Sequence, residues 1–270
     1  MKRKNELSLF VLILPLVLSA CGNAATPAAG STPAPRTLTV YAAASLTDAF
    51  TEIGKAFETS HPGVTVVFNF GGSQNLRTQI EQGAPADVFA SANNTEMTPL
   101  ITGKKVQESV PQIFLTNQLV VILPANNPAS ISSLEDLAKP GLKIVLAAEE
   151  VPVGKYARQV LDNLNATLGT DYKDKVLTNV VSNEDNVKQV VAKVHLGEAD
   201  AGIAYISDTA AAPELQKIDI PSDVNVIAEY PIAPLIESAN SDLAAEFVAY
   251  VLSPDGQARL KKWGFTPITP

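Results

Sequence analysis

The sequence of 270 residues contains one cysteine, Cys21, so the chain cannot form an intramolecular disulfide. It contains only two histidines: His61 precedes a proline in a predicted loop, and His195 lies near the end of a predicted helix. Neither position is typical of a catalytic or metal-binding histidine. The Gly-x-x-x-x-Gly-Lys phosphate loop and the Gly-x-Ser-x-Gly nucleophile elbow are also missing. The sequence therefore predicts a protein that is not an enzyme.

An excess of positive charge is missing too. The formal net charge is −8, and the first 20 residues carry +2, which leaves −10 for the rest of the chain. This balance argues against nucleic acid and against an anionic membrane surface as partners. A small anion stays compatible with it, because a helix N-terminus acts over a short distance.

The N-terminal segment predicts export. Three basic residues at positions 2–4 precede an apolar run over residues 7–18, which is short for a transmembrane helix. The Leu-Ser-Ala-Cys sequence that ends at Cys21 resembles the lipobox of bacterial lipoproteins. This resemblance implies that a signal peptide of residues 1–20 is removed and that Cys21 is acylated. The alternative is a free cysteine that follows an uncleaved anchor helix.

The next segment, residues 21–36, is rich in Ala, Pro, Gly, Thr and Ser and cannot bury a hydrophobic core. We therefore expect a flexible linker between the lipid anchor and a folded part that starts near Thr37. The anchor would hold the protein outside the cytoplasmic membrane, on the periplasmic side or the outer face.

From Thr37 onward, strand-like apolar segments alternate with amphipathic helices, which predicts an α/β fold with mainly parallel sheets. The first predicted strand runs into Ser45, with Asp48 three residues later as in a capping box. The second strand, residues 64–70, is followed by two glycines, by Ser73, and by a helix that begins at Gln74. An ordinary helix cap is the alternative role of the second serine.

Ligands of such sheets bind beyond the carboxyl ends of the strands, where helix N-termini favour anions. The second half of the chain repeats the pattern: helices are predicted to begin near Val153 and Val187, and a short strand ends at Tyr205. Residues 163–175 are polar and predict a loop with partial helix.

Two apolar segments predict crossings between two domains. Residues 115–123 form a long strand that leads into the second domain, and residues 224–234 form the strand that returns to the first.

Several stretches resemble motifs of the substrate-binding component of bacterial molybdate ABC importers. They span almost the whole chain from residue 37 onward and occur in the expected order. The stretches cover residues 42–46, 72–73, 83–87, 151–154, 156–157, 186–187, 202–208, 230–232 and 252–257.

The resemblance implies a type II periplasmic-binding-protein fold: two α/β domains with mixed, mainly parallel sheets, joined by two crossing strands. Domain I would comprise residues 37–118 and 233–270, and domain II residues 119–232. The ligand, molybdate or tungstate, would lie between the domains and pass to an ABC transporter permease. No cofactor and no directly ligated cation are implied, and we expect a monomer.

The family's ligand-binding positions correspond to five residues here. Ser45 and Ser73 would donate hydroxyl and backbone hydrogen bonds, Val153 and Val187 backbone N–H groups, and Tyr205 its phenol. Two alternatives stay open: a binding protein for sulfate, another oxyanion or ferric iron, and an extracytoplasmic enzyme on the same fold. The enzyme would need a nucleophile–base pair, so the positions of the two histidines discriminate between these readings.

Overall fold

A computed structural model describes residues 34–268, so the predicted signal peptide, Cys21 and linker residues 22–33 lie outside the described residues. The strands are β1 (Arg36–Ala43), β2 (Val64–Gly71), β3 (Val88–Ala90), β4 (Gln112–Asn117), β5 (Leu119–Leu123), β6 (Ile144–Ala147), β7 (Val180–Glu184), β8 (Ala201–Tyr205), β9 (Gln216–Asp219), β10 (Ala228–Pro234) and β11 (Thr266–Pro267). The helices are α1 (Thr47–Ser60), α2 (Ser73–Glu81), α3 (Asn94–Thr102), α4 (Pro152–Leu168), α5 (Tyr172–Thr178), α6 (Val187–His195), α7 (Ile206–Ala211), α8 (Ser241–Leu252) and α9 (Pro254–Lys262). Within these residues, none of the helices combines the length and the hydropathy needed to cross a membrane.

The first sheet has six strands in the order β11-β4-β10-β3-β1-β2. Strand β1 pairs in parallel with β2 and β3, whereas β10 is antiparallel to both β3 and β4. Its core is aromatic: Phe50 of α1 contacts the rings of Phe68, Phe114 and Phe247 at centroid distances of 5.8–6.1 Å. These contacts pack α1 and α8 against one face of the sheet.

The second sheet has five strands in the order β7-β6-β8-β5-β9. Strand β6 is parallel to β7 and β8, and β5 is antiparallel to β8 and β9. Helix α6 covers it with a stripe of valines at helical spacing: Val187, Val190, Val191 and Val194 are buried. The prediction of mixed sheets is confirmed in both halves, since each sheet combines parallel with antiparallel pairs.

The chain passes from the first sheet to the second at Gln118, because β4 ends at Asn117 and β5 begins at Leu119. The single strand predicted over residues 115–123 is therefore wrong, since two strands of different sheets share that stretch. The side chain of Asn225, on the returning segment, accepts from Leu119 N–H at 3.2 Å and donates to its carbonyl at 2.9 Å. This side chain ties the two crossing segments together.

The return crossing lies earlier than predicted. Strand β10 pairs within the first sheet from Ala228 onward, opposite Asn117. A domain boundary between residues 232 and 233 would therefore cut a strand of one sheet. A strand's pairing partner is set by tertiary structure, which the local apolar pattern did not reveal.

The segment of residues 163–175, predicted as a loop with partial helix, is mostly helical. Helix α4 continues to Leu168, ends at Gly169 with φ 111°, and is followed at once by α5. Leu161 and Leu164 extend its buried face, and Tyr172 is buried at the start of the next helix. Burial of these apolar side chains outweighs the polar composition of the segment.

Candidate functional site

A small pocket lies beyond the carboxyl ends of the parallel strands of both sheets. Its wall from the first sheet comprises residues 43–45, 71–73 and Ala92, and its wall from the second comprises residues 151–153, Asn186, Val187 and Tyr205. No charged side chain lines it in the part of the chain that the structure describes. All five residues predicted to bind a ligand lie in this wall, and their role as ligand contacts stays a prediction.

Ser45 reaches the pocket from a short 3₁₀ turn, Ala44–Leu46, that follows β1. The predicted capping box is wrong, because α1 begins only at Thr47 and no side chain caps it. The Ser45 hydroxyl instead lies 2.9 Å from the hydroxyl of Tyr230 on β10, and the serine is 6% exposed. Since the hydroxyl makes no helix cap, it stays available to the pocket.

Ser73 is the first residue of α2, one position earlier than the predicted helix start. Its hydroxyl oxygen accepts a hydrogen bond from the backbone N–H of Ala92 at 3.1 Å, and the residue is 1% exposed. The preceding Gly72 is necessary for close approach of the two halves: an added Cβ would overlap the carbonyl oxygen of Asp185.

Val153 and Val187 present backbone N–H groups from two helix N-termini. The first-turn amides of a helix have no partner within it. Because Pro152 opens α4 and has no N–H, Val153 supplies the first amide of that helix. At α6 the Asn186 side chain accepts from the N–H of Gln189 at 3.2 Å, so the cap leaves the N–H of Val187 free for a ligand. Both helix dipoles favour an anion at this place.

Tyr205 ends β8 and is 1% exposed. Among residues 34–268 its hydroxyl has no hydrogen-bond partner. Burial raises the pKa of this phenol well above its ordinary value, so the group keeps its proton and can donate. A buried donor without a partner needs a ligand or water to satisfy it.

An ion pair joins the two halves beside the pocket. Lys188 Nζ on α6 lies 2.7 Å from Asp48 Oδ2 on α1 and 3.6 Å from Asp208 Oδ1 on α7. Burial raises the pKa of Asp208 to about 6, and the neighbouring ammonium of Lys188 opposes this shift.

Sequence reasoning assigned no role to Tyr230 or Lys188. It identified Gly72 in the turn before Ser73, but not the contact of this glycine with Asp185 in the second half of the chain. The Tyr-Pro-Ile motif was visible, but nothing in it indicates that the phenol meets Ser45, 185 positions away. The contact depends on the pairing of β10 between β3 and β4.

The two histidines lie elsewhere. His61 Nε2 is 3.2 Å from Glu246 Oε2, and His195 Nδ1 is 2.6 Å from Glu214 Oε1. Neither lines the pocket. Over residues 34–268 no group of three or more His, Cys, Asp or Glu residues is placed to hold a metal ion.

Residues 38–266 match the model of the family described as bacterial extracellular solute-binding protein. The chain belongs to this family. It is 38% identical over 256 residues to the molybdate-binding protein ModA of Mycobacterium tuberculosis, with 94% of each chain covered. It is 30% identical to the putative ABC transporter substrate-binding lipoprotein YvgL of Bacillus subtilis, covering 97% of this chain and 98% of the relative.

Among solved structures, it resembles the substrate binding domain of a putative molybdenum ABC transporter from Clostridium difficile. The identity is 34%, the TM-score is 0.64, and 87% of this chain and 100% of the other are covered. The predicted solute-binding family and its two-lobed α/β fold are thereby confirmed. Membership of an extracellular solute-binding family also places the chain outside the cytoplasm.

Proposed function

We propose that the protein binds molybdate or tungstate outside the cytoplasm and delivers it to the permease of an ABC importer. One observation carries this proposal: two serine hydroxyls, two helix N-termini and a buried phenol converge on one small pocket. Within residues 34–268 the phenol has no hydrogen-bond partner and no charged side chain lines the pocket. The similarity to a relative described as a molybdate-binding protein supports the choice of ligand.

The donor set suits a dianion. Each hydrogen bond to a charged group contributes roughly 1.5–3 kcal/mol, and each helix N-terminus adds about 0.3–1 kcal/mol. Five donors together can supply the roughly −12 kcal/mol of nanomolar binding after ordering costs are subtracted. We propose that these groups bind the ligand and do not catalyse a reaction.

The ligand would be enclosed by closure of two lobes about the crossing segments. One lobe comprises residues 37–117 and 228–268 with the first sheet, and the other comprises residues 119–227. Contacts already span the cleft: Gln74 Nε2 donates to the carbonyl of Asp185 at 3.2 Å, and Lys188 pairs with Asp48. Each chain contains both walls of the pocket, which is compatible with a monomer. The closed form would then be the one that the permease recognises.

The lipid anchor belongs to the same proposal. Removal of residues 1–20 and acylation of Cys21 would tether the protein to the membrane, and a relative described as a lipoprotein supports this. The test is fractionation of cells that express the wild type and Cys21→Ala. We expect the wild type in the membrane fraction, and mature Cys21→Ala in the membrane fraction would contradict the anchor.

Calorimetric titration tests the ligand. The chain from residue 22 onward, freed of bound ions, is titrated with molybdate, tungstate, sulfate and phosphate. We expect tight one-to-one binding of the first two and much weaker binding of the others. Tight sulfate binding with weak molybdate binding would support the assignment of the site but contradict the assignment of the ligand. If none of the four anions binds, the proposed function is wrong.

A further inference from the structure

The hydroxyl groups of both pocket serines, Ser45 and Ser73, also form hydrogen bonds within the protein. Each hydroxyl oxygen lies within hydrogen-bond distance of a polar group of the protein. Ser73 Oγ accepts from the N–H of Ala92 at 3.1 Å, and this direction is fixed because an amide can only donate. Ser45 Oγ lies 2.9 Å from the hydroxyl of Tyr230.

The direction of the second bond follows from acidity and from the pocket. A phenol is far more acidic than an alkyl hydroxyl and is the better donor of the two. An anion in the pocket attracts the proton of Ser45, which leaves the serine oxygen to accept from Tyr230. The hydrogen bonds of both serines then run in the same direction. Each serine oxygen accepts a hydrogen bond from the protein, and each serine proton points at the ligand.

This direction of the serine hydrogen bonds matters for oxyanions that carry a proton. Sulfate and molybdate only accept hydrogen bonds, whereas hydrogen phosphate also has one P–O–H group that must donate. A free serine hydroxyl can rotate to accept that proton. A serine oxygen that already accepts one protein hydrogen bond has a single lone pair left, and directing the serine proton at the anion turns that lone pair away from it.

We propose that Tyr230 is a positioning residue that holds Ser45 as a hydrogen-bond donor and so discriminates against oxyanions that still carry a proton. This inference rests on the proposed function of the pocket and extends it from ligand contacts to ligand selectivity. The amide of Ala92 has the same effect on Ser73.

Tyr230 is well placed for this role, and a conservative substitution tests it. Its side chain is fully buried, and its ring makes edge-on contacts with Phe114, Tyr205 and Phe265 at centroid distances of 5.8–6.3 Å. These contacts hold the ring, so Tyr230→Phe removes the hydroxyl and retains the packing.

The experiment compares sulfate with phosphate in slightly alkaline buffer, where both are dianions of similar size and only phosphate carries a proton. Affinities are measured by displacement of molybdate from the wild type, Tyr230→Phe, Ser45→Ala and the double variant. Tyr172→Phe is the matched control, because that buried tyrosine donates to the carbonyl of Leu134, away from the pocket. Thermal melting verifies that each variant is folded.

In Tyr230→Phe we expect the sulfate-to-phosphate affinity ratio to fall by about tenfold, the equivalent of one modest hydrogen bond. The molybdate-to-sulfate ratio, which reports size, should stay within about threefold of the wild type. In the Ser45→Ala background the Tyr230 substitution should no longer change the sulfate-to-phosphate ratio, because the two residues act through one bond.

An unchanged sulfate-to-phosphate ratio in Tyr230→Phe would overturn the inference, as would an equal change in Tyr172→Phe. Either result leaves the proposed function standing, provided the wild type binds molybdate. A wild type that binds none of the three anions would overturn the proposed function and the inference with it.

Discussion

At the scale of single residues, the pocket contains hydroxyls in three different hydrogen-bonding states. Ser73 accepts from a backbone amide, Ser45 meets a phenol, and Tyr205 has no partner within the described residues. The state of the Tyr205 hydroxyl has an energetic consequence, because a buried donor without a partner lowers the stability of the ligand-free form.

Tyr205→Phe should therefore change binding and stability in opposite directions. Molybdate affinity should fall by roughly 1.5–3 kcal/mol, because a hydrogen bond to a buried charge is lost. The melting temperature of the ligand-free protein should stay equal or rise, because the variant no longer buries an unpaired hydroxyl. Calorimetry measures the first quantity and a thermal melt the second. A destabilised ligand-free protein with unchanged affinity would contradict the assignment of Tyr205.

Asp208 makes stability depend on pH. Its pKa is raised to about 6 by burial, so the folded protein takes up a proton at a higher pH than the unfolded chain does. The contribution of Asp208 to the free energy of unfolding should therefore gain up to about 3 kcal/mol as the pH falls from about 7 to about 4, whereas carboxyls with a lowered pKa, such as those of Asp136 and Asp242, lose stability toward the lower end of this range. Asp208→Asn should remove this gain, while the exposed Asp223→Asn should retain it. Denaturant titrations across this range measure the effect, and parallel curves for wild type and Asp208→Asn would refute it.

At the scale of secondary-structure elements, the strand–turn–helix units were predictable because their signals are local. A buried strand, small residues and an amphipathic helix follow one another in sequence around Ser45, Ser73 and Val153. Fine details depended on tertiary contacts: Ser45 was predicted as a cap, but Tyr230 engages its hydroxyl instead. The crossing at Gln118 was hidden for the same reason, since only strand pairing divides the apolar run into two sheets.

The loop between β2 and α2 provides a test of close approach between the halves. Gly72 has φ −61°, so alanine is allowed by the backbone, yet an added Cβ would overlap the carbonyl of Asp185. Gly72→Ala should therefore weaken molybdate binding by about 1–3 kcal/mol through incomplete closure. The thermal stability of the ligand-free protein should change little.

Gly71→Ala is the matched control, because a Cβ at Gly71 would only touch Leu76 at 3.4 Å. Small-angle scattering with and without molybdate would show whether Gly72→Ala stays more open than wild type. A Gly72→Ala variant that closes and binds like the wild type would show that the halves do not meet here when the ligand is bound.

At the scale of the whole molecule, the pocket is complete only when both sheets contribute. Ser45 and Ser73 belong to one half, and Val153, Val187 and Tyr205 belong to the other. The Lys188–Asp48 ion pair and the Gln74–Asp185 hydrogen bond span the same gap. Neither half alone presents enough donors for a dianion, so affinity and closure are linked.

Among the described residues no charged side chain lines the pocket wall, and this has a kinetic consequence. Without its first 20 residues the chain has a net charge of −10, so an approaching dianion is repelled at long range and attracted only when it reaches the helix ends. The association rate constant should therefore rise as salt is increased from about 10 mM to about 200 mM. Stopped-flow measurements test this, with sucrose as an uncharged control. A rate constant that falls with salt would indicate local positive steering.

If electrostatic repulsion slows the association of the anion, tight binding must come from a small dissociation rate constant. The residence time of the anion, rather than the speed of its encounter, then determines which oxyanion the protein retains.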